Sequence, residues 1–393
     1  MGTSWAHLRV LLTGTEYSGG LAALRALSAA GYAPWAAVTS TAAYGARSRA
    51  AEGVVEVPDA REDPAGFAEA VAEGARRTSA RVVLPGTEGG LLALAAHPES
   101  FGPDLALGVC SPAITASATD QVTTLADAAE AGIDVLPARV LGAEGPAGTD
   151  EVRYPVVVKP LRSELPVDGR LRRYEARCAE DRDAVILALA ALPDGVGIVQ
   201  EYRDGRLLTV DGVAWEGDVV AEVHAEGLRT WPAGYGAVTY AETIEPHPAL
   251  AEHARAMMGR LGWSGVFNLQ FIESADGLFL IEVNPQLHPS VGLAVAAGVN
   301  LPAIWVRALL GEPLDVPAYE VGLRFRSEDD VRSLVSQFRS GARLAALGGL
   351  LPQRHTTHAV VSLSDPRPGL SYLRGLPRRL RPSKGVPARA LPG

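Results

Sequence analysis

Lysine is almost missing from this chain. Of its 36 basic residues only Lys159 and Lys384 are lysines, and the remainder are arginines. A chain that draws its positive charge from arginine has little reason to keep a lysine for solubility, so a retained one marks a place that wants a compact point charge. Cysteine is nearly as scarce. Two residues, Cys110 and Cys178, exclude a disulfide framework and a multi-cysteine zinc site, and they suit a reducing compartment. No apolar run reaches the ~18 residues of a membrane helix, and the opening MGTSWAHLRV has no long apolar core, so the expected location is the cytoplasm, with no membrane partner. Positive charge is in deficit as well. A net charge of −9 argues against binding nucleic acid, which depends on neutralising phosphates. Small-molecule chemistry is what remains.

The 393 residues, 47% apolar and 21% charged, are globular material sufficient for two or three cores. Leu8–Thr13 is an apolar run followed by a glycine-bearing loop and an alanine-rich helical stretch to Ala30, which is strand, loop, helix. Apolar runs recur at Trp35–Val38, Val54–Val57, Arg81–Leu84 and Leu107–Val109. With helical segments between several of them, they predict a doubly wound parallel α/β domain over 1–115. Gly14 and Gly19 are spaced GxxxxG, which is neither the dinucleotide fingerprint nor a P-loop, so tight-turn glycines are the better reading and a nicotinamide-dependent oxidoreductase is disfavoured. In Leu84-Pro85-Gly86-Thr87-Glu88, a hydroxyl and a carboxylate follow a strand's end. Thr87 and Glu88 are candidate substrate contacts, or else a helix N-cap with a carboxylate on the dipole.

Further along, Thr119–Gly132 reads as a helix that starts at Thr119 or Asp120. Tyr154-Pro155-Val156-Val157-Val158 is a buried strand with Lys159 at its tip, there to meet a phosphate oxygen or simply to turn to solvent. Leu161–Arg177 is charged and aperiodic, which points to a flap. Gln200-Glu201-Tyr202 ends another strand; Glu201 could accept a purine amine or be a plain exposed carboxylate. From Leu207 to Thr243 the pattern is β, with Asp211-Gly212 and Glu216-Gly217-Asp218 as turn signals. Arg229 stands beside Trp231, either to hold an anion or to stack on that ring.

The richest stretch is Gly265–Gly298. Apolar residues at Phe267, Leu269 and Phe271 and again at Phe279, Ile281 and Val283 predict a hairpin closed by a three-residue loop, Ala275–Gly277. That register sets Gln270 opposite Glu282, with Cβ atoms roughly 5 Å apart, and Asn284 on the same face. One carboxylate and two amide oxygens are hard ligands of low charge, as Mg²⁺ accepts when phosphates complete its shell; equally, they could be the wet end of an amphipathic hairpin. Val321–Arg326 alternates so that Arg324 and Arg326 share a face. From Asp365 the chain is rich in proline and arginine and loses periodicity, the pattern of a loosely held tail.

Lys159 after VVV, Gln200-Glu201-Tyr202 some forty residues on, and NLQFIESADGLFLIEVNP together resemble the ATP-grasp superfamily over residues 1 to about 318. The NLQF and IEVNP pairing is most similar to the carbamoyl-phosphate synthetase large subunit and its biotin carboxylase relatives. The resemblance implies a pre-ATP-grasp α/β domain (1–115), an ATP-grasp domain (116–318) and a C-terminal segment (319–393). It implies that Lys159 contacts ATP phosphates, Gln200, Glu201 and Tyr202 form the adenine hinge, Gln270, Glu282 and Asn284 hold Mg²⁺, and Ser290 lines the acceptor site. The implied activity is ADP-forming ligation of a carboxylate to an amine through an acyl phosphate. Its partners would be those two small molecules, in a chain for which a homodimer is the default expectation.

Three positions depart from the superfamily's pattern. Gln286 replaces the arginine after Asn-Pro, Gln121 replaces a lysine in the preceding helix, and the flap lacks a glycine cluster. Arg324, Arg326 or Arg229 would then have to supply the cation beside the transferred phosphoryl group. The alternative is a nucleotide-binding protein without ligase turnover.

Overall fold

A computed structural model describes residues 7–143, 152–162, 164–167, 170–174, 176–339, 341–351 and 353–379. Strands β1 (Arg9–Leu12), β2 (Ala33–Val38), β3 (Gly53–Glu56), β4 (Val82–Leu84) and β5 (Ala106–Leu107) form a parallel sheet in the order β3-β2-β1-β4-β5. Their unbroken apolar runs follow from burial on both faces. Val10 and Leu12 pack with Leu24, Leu27 and Trp305, whereas Leu11 packs on the other side with Phe67, Val71 and Val83. The strand order reverses between β1 and β4, which makes their C-terminal ends the switch point whose crevice takes ligands in open α/β sheets.

The loop after β1 is welded into that crevice by glycine. A Cβ on Gly14, whose φ is +70°, would lie 2.7 Å from the Gly86 backbone, and one on Gly19 would lie 2.2 Å from the Leu287 carbonyl oxygen. These are glycines of turn and close packing, as the spacing predicts.

In chain order there follow β6 (Ala138–Gly142), β7 (Val156–Lys159), β8 (Glu164–Val167), β9 (Arg170–Arg173), β10 (Arg177–Ala179) and β11 (Val196–Glu201). Strands β10-β7-β11-β6 make an antiparallel sheet, and β8 and β9, where an aperiodic flap is expected, pair as a separate antiparallel hairpin. Residues 163, 168, 169 and 175 of that expected flap lie outside the described residues, as do 144–151 of the connector before it.

The remaining strands are β12 (Arg206–Trp215), β13 (Asp218–Trp231), β14 (Ala237–Thr243), β15 (Gly265–Ser274), β16 (Gly277–Asn284), β17 (Arg324–Arg326) and β18 (Thr356–His358). They form one sheet, β16-β15-β12-β13-β14-β17-β18, parallel only at its last pair. Its core face, with Val210, Leu269 and Phe271, packs on Leu250, Met257 and Met258 of the helix Pro248–Leu261.

Three expectations need correction. Asp211-Gly212 is no turn but the middle of β12; glycine is required there because a Cβ would meet the Phe267 ring at 2.4 Å. The β15–β16 hairpin closes through two residues, Ala275 and Asp276, with Ser274 opposite Gly277, and a bulge beyond Gln270 then restores the expected pairing of Gln270 with Glu282. The bulge also reverses the faces. Leu280, 1% exposed, enters the core, and Phe279 lies outward under the Arg203 guanidinium.

The third correction concerns the C-terminal segment. Pro366–Arg379 is a helix, with prolines in its first turn where no N–H partner is lost. Asp365 ties it down: Ser48 Oγ (2.6 Å), Arg25 Nε (3.0 Å) and the Arg49 amide (3.1 Å) all donate to its buried carboxylate. Burial alone would raise the Asp365 pKa, yet these donors hold it below the usual carboxylate range. Residues 380–393 lie outside the described residues. Asp365→Ala should lower unfolding stability by about 1–3 kcal/mol, since it removes the acceptor of Ser48 Oγ, Arg25 Nε and the Arg49 amide, although Arg25 keeps its carbonyl partners. Because the folded pKa is depressed, the loss should be full at neutral pH and fade as pH falls through the carboxylate range; denaturant melts at several pH values would measure it.

Candidate active site

The outward face of β12, β15 and β16 is polar at consecutive register positions. Thr209 stands opposite Gln270, Asp211 opposite Asn268, Gln270 opposite Glu282 and Asn268 opposite Asn284. Asp211 is 2% exposed and Asn268 is fully buried. Asn268 Nδ2 donates to Asp211 Oδ1 at 3.2 Å, which leaves Asn268 Oδ1 as an acceptor. That oxygen takes a hydrogen bond from Gln270 Nε2 (3.2 Å) and another from Asn284 Nδ2 (3.3 Å). Both amide nitrogens are therefore committed to Asn268, and both amide oxygens are left for another partner. The orientation of the two candidate metal ligands thus descends from one buried carboxylate.

Asp211 also accepts from Ser290 Oγ at 2.5 Å, and Ser290 Oγ lies 2.6 Å from His288 Nδ1. Burial pushes the Asp211 pKa up to about 7, against the opposing donors Ser290 and Asn268. Ser290 is joined to the hairpin residues through Asp211 and Asn268.

Lys159 reaches this face from the other sheet. Its Nζ donates to Gln200 Oε1 at 3.0 Å and to the Ile281 carbonyl at 2.9 Å. Burial lowers the ammonium pKa, and the Glu282 carboxylate works against that shift. Gln200 is 2% exposed, and its Nε2 has no hydrogen-bond partner among the described residues. Gln200 and Glu201 end β11 and Tyr202 opens the short crossing to β12, and thus from one sheet to the other. The amides of Glu201 and Tyr202 donate to the carbonyls of Pro137 and Pro155. Glu201 faces Arg203, 3.9 Å away, and Arg203 is also bonded to Asp276.

Thr87 is the N-cap of the helix Glu88–Ala96, accepting from the Gly90 amide at 3.1 Å, and Glu88 is 6% exposed in its first turn. They sit in the β1/β4 crevice, joined to the Leu287–Ser290 loop through the glycines that follow β1.

The arginines are placed elsewhere. Arg324 and Arg326 share a face, but by register it is the face opposite Asp211. Arg324 pairs with Glu242, and Arg326 with Asp330 at 3.2 Å. Arg229 forms a bidentate pair with the same fully buried Asp330, 2.9 Å on each arm, and lies 4.1 Å from the centre of the Tyr240 ring, not on Trp231. The structure brings none of the three to the hairpin ligands. Asn268 and Asp211 are the site residues to which the sequence reading gives no role, whereas His288 belongs to the HPSVG loop that it sets at the acceptor side with Ser290. A lone acid within the apolar run LLTVDGVAW was the signal for Asp211.

Comparison with known proteins bears on the fold that carries these residues. A family model described as ATP-grasp in the biosynthetic pathway with Ter operon matches residues 196–331, which includes the β11–β12 crossing and the hairpin but stops short of Lys159. Biotin carboxylase from Campylobacter jejuni, solved as a β,γ-ATP complex, superposes with a TM-score of 0.62 at 17% identity, over 82% of this chain and 75% of that one. The chain has the ATP-grasp fold. N5-carboxyaminoimidazole synthetase from Staphylococcus aureus, complexed with ADP, matches this ATP-grasp chain with a TM-score of 0.63 at 13% identity, over 85% and 86% of the two. An L-amino acid ligase from Bacillus licheniformis matches with a TM-score of 0.60 at 15% identity, over 79% and 75%.

Asp211 carries a pH signature. Its folded pKa lies above that of an unfolded aspartate, so between about pH 4 and 7 the folded protein holds a proton that the unfolded chain lacks, and stability drains away as pH rises through that window. Asp211→Asn keeps both acceptor contacts and cannot ionise. Its stability relative to the parent should therefore grow from pH 4 to pH 8, by up to about 4 kcal/mol. Urea melts at both pH values would show it, and a gap that narrows with pH would contradict it.

Proposed function

We propose that this chain is an ATP-dependent, ADP-forming carboxylate–amine ligase in which an acyl phosphate links the two half-reactions. The observation that carries this reading is the pair of amide oxygens turned away from Asn268 beside Glu282, with Lys159 held against the same strand. The donor set fits a magnesium nucleotide: one carboxylate and two neutral oxygens, with no group of three His, Cys, Asp or Glu ligands among the described residues. The orphaned Gln200 Nε2, buried beside Lys159, also calls for an acceptor. The solved relatives named above with ATP-like or ADP ligands support the choice of nucleotide.

MgATP would supply the phosphoryl group and the metal charge that draws electrons toward the leaving oxygen. The chain's residues would then divide as follows. Gln270, Glu282 and Asn284 hold the metal, in an orientation set by Asn268 and Asp211. Lys159, fixed at two carbonyl oxygens, keeps its remaining proton for a phosphate oxygen. Gln200, Glu201 and Tyr202 flank the base at the crossing between sheets. Ser290 and His288, with Thr87 and Glu88 across the β1/β4 crevice, line the acceptor side. We assign the nucleotide to residues 116–318, the preceding crevice to 1–115, and a bracing role to 319–393.

A second reading, nucleotide binding without turnover, is favoured by one observation. Gln286 stands after Asn-Pro, and Arg229, Arg324 and Arg326 are all committed to carboxylates. Purified protein supplied with MgATP and pooled carboxylates and amines separates the two. Ligation predicts ADP and phosphate in step with amide, and Glu282→Ala should reduce that rate by about a hundredfold or more. AMP release would sink the acyl-phosphate route. Saturable MgATP binding without ADP from any pool would establish the second reading.

A further inference from the structure

Along the stretch of β13 from Val219 to His224, which pairs with β12 but has no rung with β14, lies a cavity of about 360 Å³, in the size range of small-ligand sites. Two of its polar residues carry a buried atom with no hydrogen-bond partner among the described residues. His224 is fully buried, and its Nδ1 accepts from the His247 amide at 2.9 Å, so the neutral ring carries its proton on Nε2. Among the described residues that Nε2 has no hydrogen-bond partner, and Glu222, at 3.6 Å, is beyond hydrogen-bond reach. Glu222 Oε2 is likewise buried and unpartnered. Arg255, an exposed residue of the helix Pro248–Leu261, borders the same cavity, and among the described residues no ion pair joins it to Glu222. The walls between them are apolar, from Val219, Val220 and Val316.

A buried polar atom without a partner costs free energy, and proteins rarely tolerate two of them side by side. Opposite charges that border one cavity and do not meet are complemented by a molecule that carries both. We propose that this cavity is a binding site for a small apolar α-amino acid, with its ammonium on Glu222, its carboxylate on Arg255 and His224 Nε2, and its side chain on the valine wall. The site does not depend on the ligase reading, because it shares no residue with the nucleotide cleft.

Calorimetric titration of the full chain, saturated with MgATP, tests it with L-leucine, L-valine and L-phenylalanine as probes. At least one should bind saturably. Its affinity should fall about tenfold or more in Glu222→Gln and in Arg255→Gln, since each removes a charge-assisted hydrogen bond, while MgATP affinity stays unchanged. N-acetyl-L-leucine and L-leucinamide, each lacking one charge, should bind more weakly than the parent amino acid. No binding by any probe up to ~10 mM would overturn the proposal. So would binding of equal strength in both variants, which would place the amino acid elsewhere, for example in the acceptor crevice.

Discussion

The hydrogen bond from Asn268 to the buried carboxylate of Asp211 is the constraint on which the rest of the site depends. An asparagine amide can be flipped, and an isolated Asn268 could present either end to its neighbours. Asp211 removes that freedom, because its Oδ1 is an acceptor and binds the amide nitrogen. The remaining oxygen then binds the nitrogens of Gln270 and Asn284, and two amide oxygens are presented beside Glu282. Preorganisation of this kind lowers the reorganisation a hard cation would otherwise impose. It is costly to maintain, as the raised pKa of Asp211 shows. Ser290 and Asn268 offset part of that cost.

The same face is where separate parts of the chain meet. Lys159 ties the β10-β7-β11-β6 sheet to the hairpin at Ile281, and Tyr202 to Gly205 carry the chain across between the two sheets. From the other side, Gly19 lets the loop after β1 approach Leu287 so closely that no side chain fits. A change in the angle between the sheets would therefore be felt first at Lys159, whose two acceptors belong to different sheets.

Much of this was legible in residue patterns because those patterns record burial. Apolar runs located the parallel strands, and the lysine-poor composition singled out Lys159. The pairing of Gln270 with Glu282 was legible too, although the route to it was not: a two-residue turn and a bulge give the same register as a three-residue loop. Where sequence reasoning missed, tertiary contacts had overridden local chemistry. Asp-Gly normally marks a turn, but Gly212 is a glycine because Phe267 fills the space, and Asp211 is held in mid-strand by Ser290 and Asn268. Arg324 and Arg326 do share a face, as alternation predicts. Alternation alone could not say which face of the sheet that was, or that Asp330 and Glu242 were waiting there. The proline-rich stretch after Asp365 looked loose because the partners that anchor it, Arg25 and Ser48, lie more than 300 residues earlier.

The central claim is that Asp211, acting through Asn268, positions the amide oxygens proposed to hold magnesium. The most direct measurement is the magnesium dependence of ATP affinity in Asn268→Ala, followed by calorimetry with and without Mg²⁺. The account predicts that the variant keeps the affinity for metal-free ATP and loses most of the gain that Mg²⁺ confers, about tenfold or more. An undiminished magnesium effect would contradict it.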